Sequence, residues 1–300
     1  KRGYGVVEEI YYQRIENTFS AIRRLPTLPD VAVKITDLVN DPNTSMRQIE
    51  SVIEVDPVLS STVLKVVNSS FYGMAQEISS LRLALVILGI KEIRNLVLSL
   101  SVFKLFSHVN GQVFDLQEFW KHSAATGQIS KSLARRFNLH FAGEEFVSGL
   151  IHDIGKLVMI NQLEDDYLSL YQTAQVKGIE LWKEELDELG FHHGHVGGWL
   201  AEKWNLPGKL RSAIIFHHAP QETQDHFQLV AVIALANTLM EMYQNEEMNE
   251  FQFEDHPAVE VLLNHTMGLE SEDWSGFSMD IEEEISKSLE FVNLSQQGMI

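Results

Sequence analysis

Apolar residues recur every three or four positions through most of this chain, and the alternation a half-buried strand needs is nearly absent. The pattern is plainest in "VLSSTVLKVV" after Asp56-Pro57, in "LRLALVILG" after Ser79 and Ser80, and in "EIRNLVLSLSVFKLF" after Lys91. Each reads as an amphipathic helix. Asp56 is the predicted N-cap with Pro57 at the first helical position, Ser45 and Gln48 form a predicted capping box, and Gly89 separates two helices. No proline lies between Pro57 and Pro207, so nothing of that kind interrupts helix interiors in between. Further helices are predicted over 115–137, 142–152, 155–176, 180–189, 193–205, 208–218, 226–246 and 280–292. The fold class is all-α. Residues 266–279 are the most loop-like stretch, and "DIEEEISKSLEFV" after them reads as an acidic amphipathic helix with a solvated charged face. There is no fixed-period repeat and no low-complexity linker.

Composition narrows the chemistry. With 300 residues, 45% of them hydrophobic, the chain can bury one large core or two smaller ones. The absence of cysteine excludes disulfides, thiolate zinc sites and cysteine nucleophiles, so any metal must be held by nitrogen and oxygen. No apolar run approaches the roughly 20 residues of a membrane span, and Lys1 begins no signal-peptide pattern; the expected location is the cytoplasm. The chain opens on Lys1-Arg2 rather than methionine, which suggests a further domain upstream. With 23 Lys plus Arg against 42 Asp plus Glu, the net charge of −19 repels phosphate backbones and anionic lipid. Nucleic acid and membranes are therefore not expected partners.

The stretch "GLIHDIGKLVM" (149–159) sets His152 beside Asp153 in apolar surroundings, followed by glycine and Lys156. Twelve histidines are many, and His152, His192, His193, His195, His217 and His218 cluster in the second half. Taken singly, each is an ordinary packed or surface histidine. Their combination carries more weight, because His122 in "FWKHSAATG", His193 in "LGFHHGHVGGWL" and His217-His218 in "IIFHHAP" sit in apolar, helix-like contexts where an unpaired polar group is costly. Neighbouring helical positions point about 100° apart, so His152 and Asp153 meet at one ion only if other elements close the shell. Imidazole with carboxylate suits Fe, Mn, Zn or Ni.

The order His122, His152-Asp153-Ile-Gly-Lys156, His193, His217-His218-Ala-Pro220 resembles the HD superfamily of metal-dependent phosphohydrolases, and more closely its HDOD branch. The stretches that carry the resemblance are "LPTLPDVAVKI" (25–35), "DPVLSSTVLKVVNSSFYG" (56–73), "ISSLRLALVILGIKEIRNLVLSL" (78–100), "GLIHDIGK" (149–156), "HVGGWLAEKWNLP" (195–207) and "IIFHHAP" (214–220). It implies an HDOD-type N-terminal helical bundle (25–110) packed on an HD-type helical core (111–240), with an N-terminal helix (1–24) and a C-terminal helical extension (241–300). It also implies metal-ligand positions at His122, His152, Asp153, His193, His217 and His218. Where the superfamily carries a final aspartate, this chain has Asn237 in "VIALANTLM", and no replacement carboxylate is obvious in the sequence. Asparagine offers a carbonyl oxygen without charge, so metal binding should weaken. The Gly-Tyr-Pro motif of cyclic-di-GMP phosphodiesterases is missing after His217-His218, which speaks against that activity.

Asp153 and Lys156 are the catalytic candidates. Lys156 either neutralises a substrate phosphate or is a surface lysine at a helix start. His192 and His195 read as structural or exposed, Glu144 and Glu145 as carboxylates at a helix dipole, and Phe71, Tyr72, Trp199 and Trp204 as core aromatics. Functionally the family resemblance implies a bacterial signal-transduction module, a response-regulator output domain acting through protein contacts, often behind a receiver domain, with a partly retained metal site. The alternative is an active metal-dependent phosphohydrolase on a nucleotide or phosphoester. A bland reading is an all-α scaffold that uses its histidines in packing.

Overall fold

The computed structural model describes residues 4–19, 25–106, 114–247, 252–269 and 280–297, and no strand occurs among them. The first helices are α1 (Tyr4–Thr18), α2 (Asp30–Asn40), α3 (Met46–Glu54), α4 (Pro57–Val67), α5 (Leu81–Leu88) and α6 (Ile90–Leu105). The middle of the chain forms α7 (Leu116–Arg136), α8 (Glu144–Ile151), α9 (Ile154–Leu163), α10 (Asp165–Lys177) and α11 (Leu181–Leu189). It continues through α12 (His193–Lys203), α13 (Gly208–Phe216), α14 (Phe227–Gln244), α15 (Pro257–His265) and α16 (Ile281–Gln297). No described helix is long and apolar enough to cross a membrane.

Side-chain caps set the helix starts. Ser45 and Gln48 form the predicted capping box at α3, and Asp56 Oδ1 accepts from Val58 N and Leu59 N, each at 3.0 Å, ahead of Pro57. Gly89, at φ +84°, closes α5 and opens α6.

The all-α expectation holds, with local corrections. The single helix predicted over 155–176 is two, because Glu164 takes φ +47° and the chain restarts at Asp165. Asp165 and Asp166 in the first turn of α10 favour a fresh positive helix terminus there. Helices α2 and α15 stand outside the predicted set; α15 starts behind His256, whose ring nitrogen accepts from Ala258 N at 3.2 Å, a cap that periodicity does not reveal. The acidic helix α16 runs on to Gln297, and its charged face is not wholly solvated. Glu284 is buried and accepts from Gln128 Nε2 on α7 at 2.7 Å. Of the loop-like stretch 266–279, positions 270–279 lie outside the described residues, as do 1–3 and 20–24 of the expected N-terminal helix.

The apolar interior runs without a break across position 110, from Ile35, Ile53 and Val63 through Leu96 and Phe103 to Trp120, Leu150, Leu157 and Trp199. Phe71 and Trp199 are core aromatics, as expected, while Trp204 Nε1 donates to Pro26 O at 2.9 Å. The long helix α7 packs on α8, α14 and α16. Two crossings bring backbones into contact. A Cβ added at Gly149 of α8 would lie 2.5 Å from Gly127 Cα of α7, and one added at Gly155 of α9 would lie 1.9 Å from His193 O. These approaches carry His122, the His152-Asp153 corner and His193 toward one point.

Candidate metal centre

His152 ends α8 and Asp153 begins α9, so the pair occupies a corner between two helices rather than a helix face. Both are buried, as are His193 at the start of α12, His217 after α13 and Asn237 on α14; His122 on α7 is partly exposed. The structure brings all seven predicted positions together. Asp153 Oδ1 lies 3.1 Å from His193 Nε2 and 3.5 Å from His217 Nε2, and Oδ2 lies 3.4 Å from His152 Nε2 and 3.9 Å from His122 Nε2. His193 Nε2 is 3.3 Å from His217 Nε2 and 3.0 Å from His218 Nε2. Asn237 Oδ1 faces His122 Nε2 at 2.9 Å and His152 Nε2 at 3.1 Å. Two groups result, Asp153 with His193, His217 and His218, and Asp153 with His122 and His152; within each, the ligand atoms lie within 4.8 Å of one another.

Tautomers follow from the outer partners. His152 Nδ1 donates to Gly149 O at 2.6 Å and His217 Nδ1 to Ile214 O at 2.7 Å. His193 Nδ1 donates to Glu185 Oε2 at 2.7 Å, and Tyr167 donates its hydroxyl to the other Glu185 oxygen. In the neutral rings the Nε2 atoms of His152, His193 and His217 therefore present lone pairs, and they present them to a carboxylate and to one another. Asp153 Oδ1 is buried with no hydrogen-bond partner among the described residues. Such a set lacks protons and is completed by a cation, so these residues fit a divalent metal bound by nitrogen and oxygen.

Charge is distributed accordingly. Burial holds His152 and His218 well below the usual histidine range and lowers His217, so these rings stay neutral at pH 7. Burial would also lower His193, but the Glu185 carboxylate outweighs it and makes this ring more basic. Burial alone would raise Asp153; the facing His152 ring, the Lys156 ammonium and the more basic His193 instead hold it well below the carboxylate range. Lys156 Nζ sits 2.6 Å from Asp153 Oδ2 with its side chain 17% exposed, so it belongs to the site and is not a surface lysine.

His192 is buried and structural, accepting from Gly194 N at 3.0 Å, and His195 stacks on Tyr11. Glu144 does more than favour a helix dipole, since Arg94 lies 3.3 Å from it and Lys209 also pairs with it. Sequence reasoning missed three groups. Glu185 orients His193, and Gln244 Oε1 lies 3.0 Å from His122 Nδ1. Glu241 Oε1 accepts from Asn237 Nδ2 at 3.0 Å, a carboxylate beside the position that lacks one. Glu241 and Gln244 follow Asn237 at i+4 and i+7 on one helix face, a spacing legible once 226–246 is taken as helical. A cavity of 320 Å³ opens on this side, lined by Phe119, His122, Asp153, Lys156, Glu241 and Gln244 among others.

The described residues thus form a helical bundle that gathers a His-Asp corner and further histidines from separate helices into a candidate metal site. The HDOD domain matches residues 25–220, and the chain belongs to the HDOD domain family. Asn237 and Glu241 lie beyond that span. An HDOD domain protein of unknown function from Geobacter sulfurreducens superposes with a TM-score of 0.75 at 24% identity, covering 97% of each chain. A candidate signal transduction protein from Marinobacter aquaeolei VT8 gives a TM-score of 0.73 at 20% identity, covering 98% of this chain and 66% of that one. A candidate phosphohydrolase from Shewanella amazonensis SB2B gives 0.68 at 22% identity, covering 96% and 98%. At these identities the likeness is one of fold. An uncharacterized protein of Treponema pallidum (strain Nichols) is 23% identical over 226 residues, 74% of this chain, and the chain spans only 43% of that relative's length.

Proposed function

We propose that this chain is a regulatory HDOD module that holds a divalent ion and acts through contacts with a protein partner. The observation that carries the reading is Asn237: every other ligand position is filled by histidine or aspartate, and the one on α14 offers a neutral oxygen. His122, His152, Asp153, His193, His217, His218 and Asn237 would hold the ion, with Fe, Mn, Zn and Ni all suited to these donors. A bound ion would supply Lewis-acid polarisation and a more acidic bound water. Glu185 orients His193, and Lys156 keeps Asp153 ionised while compensating part of its charge. Exposed Val55, Val58, Val86 and Ile87 leave apolar surface near the N-terminal helices, which supports contact with a protein, a receiver domain among the candidates.

The second reading, a phosphohydrolase, is favoured by the cavity that reaches His122, Asp153 and Lys156. Elemental analysis of chelator-free protein, paired with hydrolysis of bis(p-nitrophenyl) phosphate, separates them. The regulatory reading expects a retained ion and a rate equal to that of His152→Ala. A parent rate well above that variant transfers the assignment to the enzyme.

A further inference from the structure

The Asn237 side chain has two faces of nearly equal shape, an oxygen that accepts and an NH2 that donates, and which one meets the histidines decides what the pocket can hold. Glu241 Oε1 takes the NH2 at 3.0 Å, and a carboxylate only accepts. The oxygen therefore points at His122 Nε2 and His152 Nε2, 2.9 and 3.1 Å away. His152 has already committed its Nδ1 proton to Gly149 O, so its Nε2 is a lone pair. Turned over, the amide would donate to those nitrogens and seal the group with hydrogen bonds, leaving no opening for a cation.

We infer that Glu241 is a positioning residue that holds the Asn237 amide with its oxygen inward, keeping the His122 and His152 group able to bind a divalent cation. The inference rests on the metal-holding reading above. Glu241 stands one helical turn beyond Asn237 and lines the same cavity wall as Lys156. Its charge occupies a neighbouring place to the one an aspartate at position 237 would fill. Its hydrogen bond does what that aspartate would not need, because a carboxylate has no donor face to hide.

The test uses Mn(II) titration of the whole chain, with circular dichroism as the folding control. The ion that responds is the one His122→Ala weakens. Glu241→Met removes both acceptor and charge and should weaken that ion about 10- to 100-fold, the usual range for an outer partner. Glu241→Gln keeps an acceptor, preserves shape and should weaken it less. In an Asn237→Asp background there is no amide to turn over, so Glu241→Met should weaken binding no more than Glu241→Gln, which removes the same charge. A gap between Glu241→Met and Glu241→Gln that is equal in both backgrounds, or no loss for either Glu241 variant in the parent, overturns the inference. A parent that binds no Mn(II), or binds it as tightly after His152→Ala, overturns the metal-holding reading itself and this inference with it.

Discussion

Glu185 Oε2 accepts from both the backbone N and the Nδ1 of His193, at 2.8 and 2.7 Å. One oxygen thus fixes where α12 begins, which tautomer its first residue adopts and how basic its inward nitrogen is. Glu185→Ala should weaken Mn(II) or Zn(II) binding about 100-fold and Glu185→Gln about 10-fold. Competition titration against a chelator measures both. Equal affinities in parent and Glu185→Ala would show that His193 needs no such support.

Restoring a carboxylate on α14 should tighten the site. Asn237→Asp should retain Mn or Fe through dialysis better than the parent, since it adds an anionic donor facing His122 and His152. His152→Ala should abolish retention in both backgrounds. Metal content after exhaustive dialysis decides, and an Asp variant that retains less than the parent would contradict the account.

Acid should unfold the protein through its neutral buried histidines. Burial lowers His256 to about 4 from 6.5, and a histidine depressed in the folded state stabilises above its unfolded pKa, with that stability lost as pH falls toward the folded value. The window is therefore from about 6.5 down to about 4, and this residue alone contributes on the order of 3 kcal/mol. His152, His192 and His218 add in the same direction, whereas His193, raised by Glu185, contributes below pH 6.5 and loses that contribution as pH rises through its folded pKa. Urea midpoints should fall steadily from pH 7 to 4.5, and His256→Asn should flatten that slope.

Gly155→Ala should cost about 3 kcal/mol, the upper end for overpacking, because the added methyl would sit 1.9 Å from His193 O and 2.8 Å from Gly197 N. Thermal unfolding measures it. If α9 and α12 separate to admit the methyl, metal affinity should fall as well, since Asp153 and His193 move apart.

Helix starts were legible where a polar cap precedes a periodic run, as at Ser45 and Asp56. The break at Glu164 was not, because apolar spacing continues across it and no glycine or proline marks it. At the site, six of the seven ligand positions stand out as histidine or aspartate in apolar contexts, and Asn237 is picked out only by the family resemblance. Glu185 does not, being one acid among several in "LWKEELDEL", of which Glu184 is equally buried and serves Lys177 instead. What separates the two is the angle at which α11 meets α12, a tertiary quantity.

Helix α16 packs on α4 and α6 as well as α7, with Phe291 against both Phe71 and Phe146. During synthesis, those two rings wait with one side uncovered while more than a hundred intervening residues are added. Completion of this interior is thus timed by the synthesis of α16 rather than of the helices it covers, and a ribosome-bound chain lacking α16 would present an aromatic surface to chaperones.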